Sequence, residues 1–402
     1  MTPIAPILPQ ASVRLRRIAM VLVIAGLHLS VLALLGAESR ERFASAYLWG
    51  YAFLWSVTLG ALFFLGLHHL THARWSVLIR RIMEMLAAPA TGMLAALFIP
   101  LALMLLLHGY FGLFPWADAA HMAGDPVLAG KRLYLNGPFF LARAALYFAV
   151  WAGFARYFLR QSLQQDAGEE AVGAVLRMRR ISAPFMMAFA VTVTFAAIDW
   201  LMSLNPHWFS TIFGVYVFSG IALSGLAALT LAVIVLHDTG RLPENSVTTD
   251  HLYNLGALLF GFSAFWAYIA FSQYMLIWYG NMPEETFYLH DRLQGGWLGV
   301  SVALALIRFA IPFFMLLPRR AKMHARTLIA VSVIVLIGQW LDLYWLIMPE
   351  RHVAGPVIGW QELGPPLTLA GAMLLSLSRF LAKHPCLAFS DPLLEESIRF
   401  RL

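Results

Sequence analysis

The chain has 402 residues, of which 60% are hydrophobic and 12% charged, and its mean hydropathy is +0.73. A composition this apolar excludes a water-soluble globular fold and reads as an integral membrane protein. The single cysteine, Cys386, excludes an internal disulfide, an iron–sulfur cluster and a four-cysteine zinc site. The net charge of +7 is carried mainly by arginine, the only lysines being Lys131, Lys322 and Lys383. In such a chain it reads as loop charge rather than a nucleic-acid surface.

At about 20 apolar residues per crossing, ten spans are predicted: 17–37, 44–68, 89–113, 138–160, 183–204, 211–236, 252–279, 296–317, 327–348 and 362–382. The opening segment MTPIAPILPQASVRLRR leads into the first span without a cleavage pattern, so a retained helix is expected rather than a signal peptide. No alternating barrel pattern occurs, and the expected fold is an all-α bundle of about ten transmembrane helices. The loop 161–182 divides the chain near its middle and reads as a linker with a short surface helix.

Counting Lys and Arg in alternate connections places 20 of them on one side, including Arg74, Arg80, Arg81, Arg177 and Arg319. The other side has only Arg40, Arg42, Lys131, Arg132, Arg292 and Arg351. The asymmetry predicts that both termini face the cytoplasm.

Four charges fall inside spans: Arg143 and Asp199 before the middle of the chain, Arg308 and Asp342 after it. Asp199 lies in AIDWLMSLNP and Asp342 in WLDLYWLIMP, each seven residues before a helix-ending proline, Pro206 or Pro349. His68-His69 followed by Arg74 likewise rhymes with His237-Asp238 followed by Arg241. The pattern predicts two related four-helix units, spans 2–5 within 44–210 and spans 6–9 within 211–350, flanked by the first span in 1–43 and the last in 351–402.

An intramembrane charge costs at least about 2.5–3.5 kcal/mol, so all four should face the bundle interior or a wet cavity. At about 1.5 Å per residue, both acids lie in the outer third of the membrane. Arg143 lies at the depth of Asp199, whereas Arg308 starts deeper and has to stretch towards Asp342. Two readings stand side by side: structural ion pairs that lock helices, or a proton relay. Thr192, Asp199 and Ser203 share one helical face, as do Ser332, Gln339 and Asp342, and Ser301, Arg308 and Pro312. Such stripes either hydrate or serve as packing glue.

His207, eight residues from Asp199 in the short NPHWFS connection, is a candidate for passing protons outward, and Trp208 beside it reads as an interfacial belt residue. His68, His69 and His72 crowd the cytoplasmic end of the second span, as interfacial residues or as a proton uptake site. His28 and His108 make no convincing axial pair for a haem. The acidic loop Asn281-Met282-Pro283-Glu284-Glu285 looks shaped for a partner, and no phosphate loop, nucleophile setting or metal motif appears.

The strings AIDWLMSLNPHWFSTIFGVYVFSG (197–220) and FWAYIAFSQYMLIWYGNMPEET (265–286), with the closing DPLLEESIRF (391–400), resemble a membrane component of bacterial alternative complex III, the paralogue of that complex's quinol-binding component. The resemblance covers essentially the whole chain. It implies the polysulfide-reductase and nitrite-reductase type of membrane protein, built on two four-helix units, within a quinol:electron-acceptor oxidoreductase of the inner membrane. It also implies that this chain has no catalytic centre or metal of its own. The quinol-binding paralogue and an iron–sulfur subunit would supply the quinol pocket and first acceptor, and c-haem subunits would pass electrons on to cytochrome c or a terminal oxidase.

The implied task is proton conduction. It falls on Arg143, Asp199, Arg308 and Asp342 as the intramembrane ionisable residues, with Thr192, Ser203, His207 and Gln339 beside them. Three alternatives stand against it: quinol oxidation by this chain with Asp199 and His207 as proton acceptors, a structural scaffold docking partners through Glu284 and Glu285, and an independent transporter. The last would require matched helix breaks, and Pro312 has no counterpart in the first unit.

Overall fold

The computed structural model describes residues 9–118, 122, 124–168 and 170–402; positions 1–8, the start of the opening segment, lie outside the described residues. Among the described residues there are helices and no strand, and ten helical segments are long and apolar enough to cross a membrane. We label the crossings α1 (Pro9–Leu35), α2 (Ala37–Leu70), α3 (Arg74–Leu106), α4 (Gly137–Asp166), α5 (Ala171–Trp200), α6 (Phe213–Asp238), α7 (Thr249–Gly280), α8 (Gly295–Leu316), α9 (Ala325–Ile347) and α10 (Trp360–Lys383). Continuous helices satisfy their own backbone groups, as a hydrocarbon environment demands.

Helix starts follow local chemistry. Asn136 caps α4 by accepting from the Phe139 amide, with Pro138 in the first turn, and Thr248 caps α7 by accepting from the His251 amide. At the other end of α7, Asn281 takes the left-handed conformation that stops the helix.

The two most buried crossings, α2 and α6, run through the middle of the bundle and touch at Gly60 and Gly225. A β-carbon on Gly60 would lie 2.2 Å from the Ile221 carbonyl and 2.7 Å from the Gly225 Cα, so only glycine permits this approach. Helices α3, α4 and α5 pack around α2, while α7 and α9 pack on α6 and α8 fits between them. Helix α1 packs chiefly against α10, with Gly26 meeting the Thr368 and Gly364 backbone. Its remaining surface is largely exposed and apolar, as a lipid-facing helix requires.

Two boundaries differ from the sequence reading. The predicted linker 161–182 is absorbed into helices: α4 runs to Asp166 and α5 begins at Ala171, and among the described residues there is no separate surface helix between them. The extensions hold each other through Arg177 Nε to Gln161 Oε1 (2.6 Å) and Gln165 Nε2 to the Ala171 carbonyl (3.1 Å). The third crossing starts at Arg74 rather than 89, through short turns and the helix Arg80–Ala87, because Arg80 and Arg81 are buried against Glu84 instead of standing in a loop.

Helix α8 changes pitch midway. Residues Leu306–Ala310 form a π-helical turn between the α-helical pieces Gly295–Ala305 and Ile311–Leu316. Pro312 has no amide hydrogen to give the Arg308 carbonyl four residues earlier, and its ring crowds that carbonyl, so the extra residue is accommodated there. The widened turn is centred on Arg308.

Candidate functional site: two intramembrane arginine–aspartate pairs

Arg143 on α4 and Asp199 on α5 face each other, and both are buried. Arg143 grips the carboxylate with two parallel bonds, Nε to Oδ2 and Nη2 to Oδ1, both 2.8 Å. The Tyr147 hydroxyl donates to Oδ2 at 2.8 Å. The remaining arm of Arg143 donates to the Tyr134 carbonyl, and its guanidinium lies 3.9 Å from the Tyr134 ring and 4.3 Å from that of Phe139. Each charge is therefore matched, hydrogen-bonded and backed by aromatic faces, the arrangement in which a buried ion pair is most costly to break.

The pair on α8 and α9 is built differently. Arg308 Nη1 stands 3.6 Å from Asp342 Oδ2, within ion-pair range but too far for a hydrogen bond. Arg308 donates instead to Gln339 through Nη2, and among the described residues its Nε and Nη1 have no hydrogen-bond partner. Asp342 accepts its short bond from the Tyr216 hydroxyl of α6. The Trp266 ring lies 4.8 Å from the guanidinium.

Two glycines make the room that lets Arg308 reach. A β-carbon on Gly220 would meet Arg308 Nη2 at 2.9 Å, and one on Gly338 would meet the Arg308 Cα and Cβ at 3.3 Å. The π-turn, the two glycines and the donors without a partner among the described residues set this pair apart from the first.

Beside this second pair lies a cavity of about 620 Å³ between α7 and α8, with Tyr216 in its lining. The hydroxyl that bonds Asp342 is thus carried by a residue that also borders open volume.

Other predicted residues fall into place unevenly. Thr192 and Ser203 share the buried face of Asp199, but they are spent locally: Trp151 donates to Thr192 (2.9 Å), Trp116 to Ser203 (3.2 Å), and Ser203 gives its own hydrogen to the Asp199 carbonyl (2.6 Å). They act as packing glue. Gln339 is joined to the second pair, and Ser332 on the same helix has a buried hydroxyl with no partner among the described residues.

His207 bonds Asp125 at 2.5 Å near the surface, and that bond holds the Asp125 carboxyl below the usual range. Its partner is a loop acid rather than Asp199. Trp208 is buried and stacked on Tyr288 at 3.8 Å, so it packs the interior rather than joining an interfacial belt. Arg292, counted above as a loop charge, is also buried; it donates to the Trp345 and Leu346 carbonyls and to Glu350, closing the end of α9.

At the opposite end of the bundle is a charge cluster that reading the spans alone does not reveal. Arg80 and Arg81 converge on Glu84, and each also reaches a second acid, Asp391 and Asp166 respectively. Asp391 and Ser397 belong to the C-terminal segment, and Ser397 donates to the Trp75 carbonyl while accepting from the Leu78 amide. Next to the cluster is a cavity of about 30 Å³, enough for one water, lined by His68, His69, His72, Arg80 and Asp391. The available signal was Glu84, a lone acid one helical turn after two arginines, recurring with the acidic tail string.

No protein-family model matches the chain, and no curated protein does. Among the described residues no group of three or more histidine, cysteine, aspartate or glutamate side chains could hold a metal ion.

Proposed function

We propose that the protein is a proton-transferring membrane subunit of a quinol-oxidising respiratory assembly of the alternative complex III type, with both termini in the cytoplasm. The resemblance of residues 197–220, 265–286 and 391–400, and the charge asymmetry of the loops, support the assembly and the orientation. The observation that carries the mechanism is the contrast between the two pairs. An acid gripped by two arginine hydrogen bonds must break both to exchange a proton, so Arg143–Asp199 serves as a helix lock. Both acids accept from a tyrosine hydroxyl, but the arginine of Asp342 stands 3.6 Å away without a hydrogen bond to it, which leaves that carboxylate tied to its tyrosine alone.

On this reading Asp342 takes and gives the proton, and Tyr216 passes it between Asp342 and the cavity by donating its own hydrogen as it accepts another. Arg308 steadies the carboxylate when it is ionised and leans to Gln339 when it is neutral. The histidine-lined space at the other end, beside Arg80 and Asp391, is the uptake point. The hydroxyls of Ser332, Ser263 and Thr58, which have no partner among the described residues, lie in the buried interior as hydrogen-bonding stations.

The test is Asp342→Asn in the whole assembly, reconstituted into vesicles with quinol and electron acceptor. Electron transfer and subunit composition should persist while proton movement across the vesicle membrane is abolished. Proton movement at the unaltered ratio to electrons would sink the mechanism. Tyr216→Phe should slow it, because the phenyl ring keeps the packing and removes the transferable hydrogen.

A further inference from the structure

The outer surface of α4 carries two arginines, Arg156 and Arg160, one helical turn apart and both exposed. Among the described residues neither makes a hydrogen bond or an ion pair. At about 1.5 Å per residue, α4 rises about 28 Å from Gly137 to Arg156, against a hydrocarbon core of about 30 Å. Arg156 therefore stands at the edge of the core, at the level of lipid headgroups, with Arg160 one turn above it.

The guanidinium of Arg156 lies against Gly92 of α3, where a β-carbon would be 3.5 Å from Nη2. Gly92 is also where the helical piece Met93–Leu106 begins, and no side chain caps that start. The positive end of this helix and the charge of Arg156 thus meet at one point on the surface. Two positive groups held together without an acid between them are complementary to an anion.

The surface beneath them is apolar. Towards the middle of the membrane the two helices present Ile99 and Leu103 on α3, and Leu146, Ala149 and Gly153 on α4, all exposed. The anion that fits this place is carried on a molecule whose apolar part lies along that face.

We infer that Arg156, Arg160 and the start of Met93–Leu106 bind the phosphate of an anionic phospholipid, with its acyl chains lying against α3 and α4. An arginine fork matches two phosphate oxygens, and backbone amides at a helix start serve another. A zwitterionic lipid would bring its own cation to a place that already holds two positive groups, so a headgroup of net negative charge is selected. An acidic protein segment would answer the charges but leave the apolar face beneath them uncovered. The arginines of the α8–α9 connection, Arg319, Arg320 and Arg326, share the charge but stand at helix ends rather than inside a crossing. The site stands independently of proton transfer and of the assembly.

The experiment is native mass spectrometry of the full chain, purified in a mild detergent, with added phosphatidylglycerol or phosphatidylcholine of identical acyl chains. Phosphatidylglycerol should be retained more tightly, by about tenfold. Arg156→Gln with Arg160→Gln should abolish that preference, whereas Arg320→Gln with Arg326→Gln, which removes the same charge, should leave it unchanged. A photo-reactive residue replacing Gly153, where a β-carbon meets nothing within 4 Å, should cross-link to lipid in native membranes. Equal retention of the two lipids, equal loss of preference in both pairs of substitutions, or a protein instead of a lipid cross-linked at Gly153 would each overturn the proposal.

Discussion

Asp199 and Asp342 share a sequence context, yet their surroundings differ in the number of hydrogen bonds each receives from its arginine: two against none. That difference predicts opposite responses to substitution. Asp199→Ala leaves the buried Arg143 without its partner and should destabilise the protein by about 3–5 kcal/mol. Replacing both residues with apolar ones of similar size, Arg143→Met with Asp199→Leu, should recover most of that loss, because no charge is then stranded. Thermal unfolding in detergent measures both, and proton movement in the double variant should remain if the first pair is only a lock. The contrast could not be read from the chain itself. The spacing of each acid before its proline was visible, but the arginine's reach depends on Gly220 and Gly338, which lie on other turns and other helices.

At the scale of elements, the helices were legible because apolar runs of crossing length have no alternative in hydrocarbon. Their ends were less so. The extensions of α4 and α5 beyond the apolar stretch depend on cross-helix bonds such as Arg177 to Gln161, which a composition-based boundary does not register. The crossing of α2 and α6 is the element-level feature with the sharpest consequence. Gly60→Leu would drive a side chain into the Ile221 carbonyl and should separate the two central helices, with a cost at or above the ~1–3 kcal/mol usual for overpacking. Gly261→Ala, on α7 where a β-carbon meets nothing within 4 Å, should be neutral or stabilising by about 0.5–1 kcal/mol. Unfolding midpoints of the two variants, compared in one detergent, test the assignment.

At the scale of the whole molecule, the C-terminal segment closes one end of the bundle. Asp391 reaches Arg80, Ser397 bonds the start of α3 through Trp75 and Leu78, and the Ser390 amide donates to Asp166 on α4. Cys386 is buried in the same segment, and burial pushes its thiol up from the ordinary value. In the native protein near neutral pH it should resist maleimide labelling, since the thiolate is the reactive form. Asp391→Ala should release the segment, so that Cys386 labels readily without denaturant. Equal labelling rates in both proteins would mean that the segment is held by other contacts.

By itself, the sequence determined that this is an all-helical membrane protein with ten helices long and apolar enough to cross, and with Arg143, Asp199, Arg308 and Asp342 inside its apolar stretches, because hydrocarbon tolerates few other arrangements of so apolar a chain. It also brought Asp199, Asp342 and their arginines to notice, since charges in such segments are conspicuous. Only the tertiary structure decided which acid is hydrogen-bonded to its arginine and which is not. It also decided that Arg80, Arg81, Glu84 and Arg292 are interior residues, and that Gln273 faces a cavity. Those outcomes depend on what stands across from each side chain, and that is set by helix packing between residues up to several hundred positions apart.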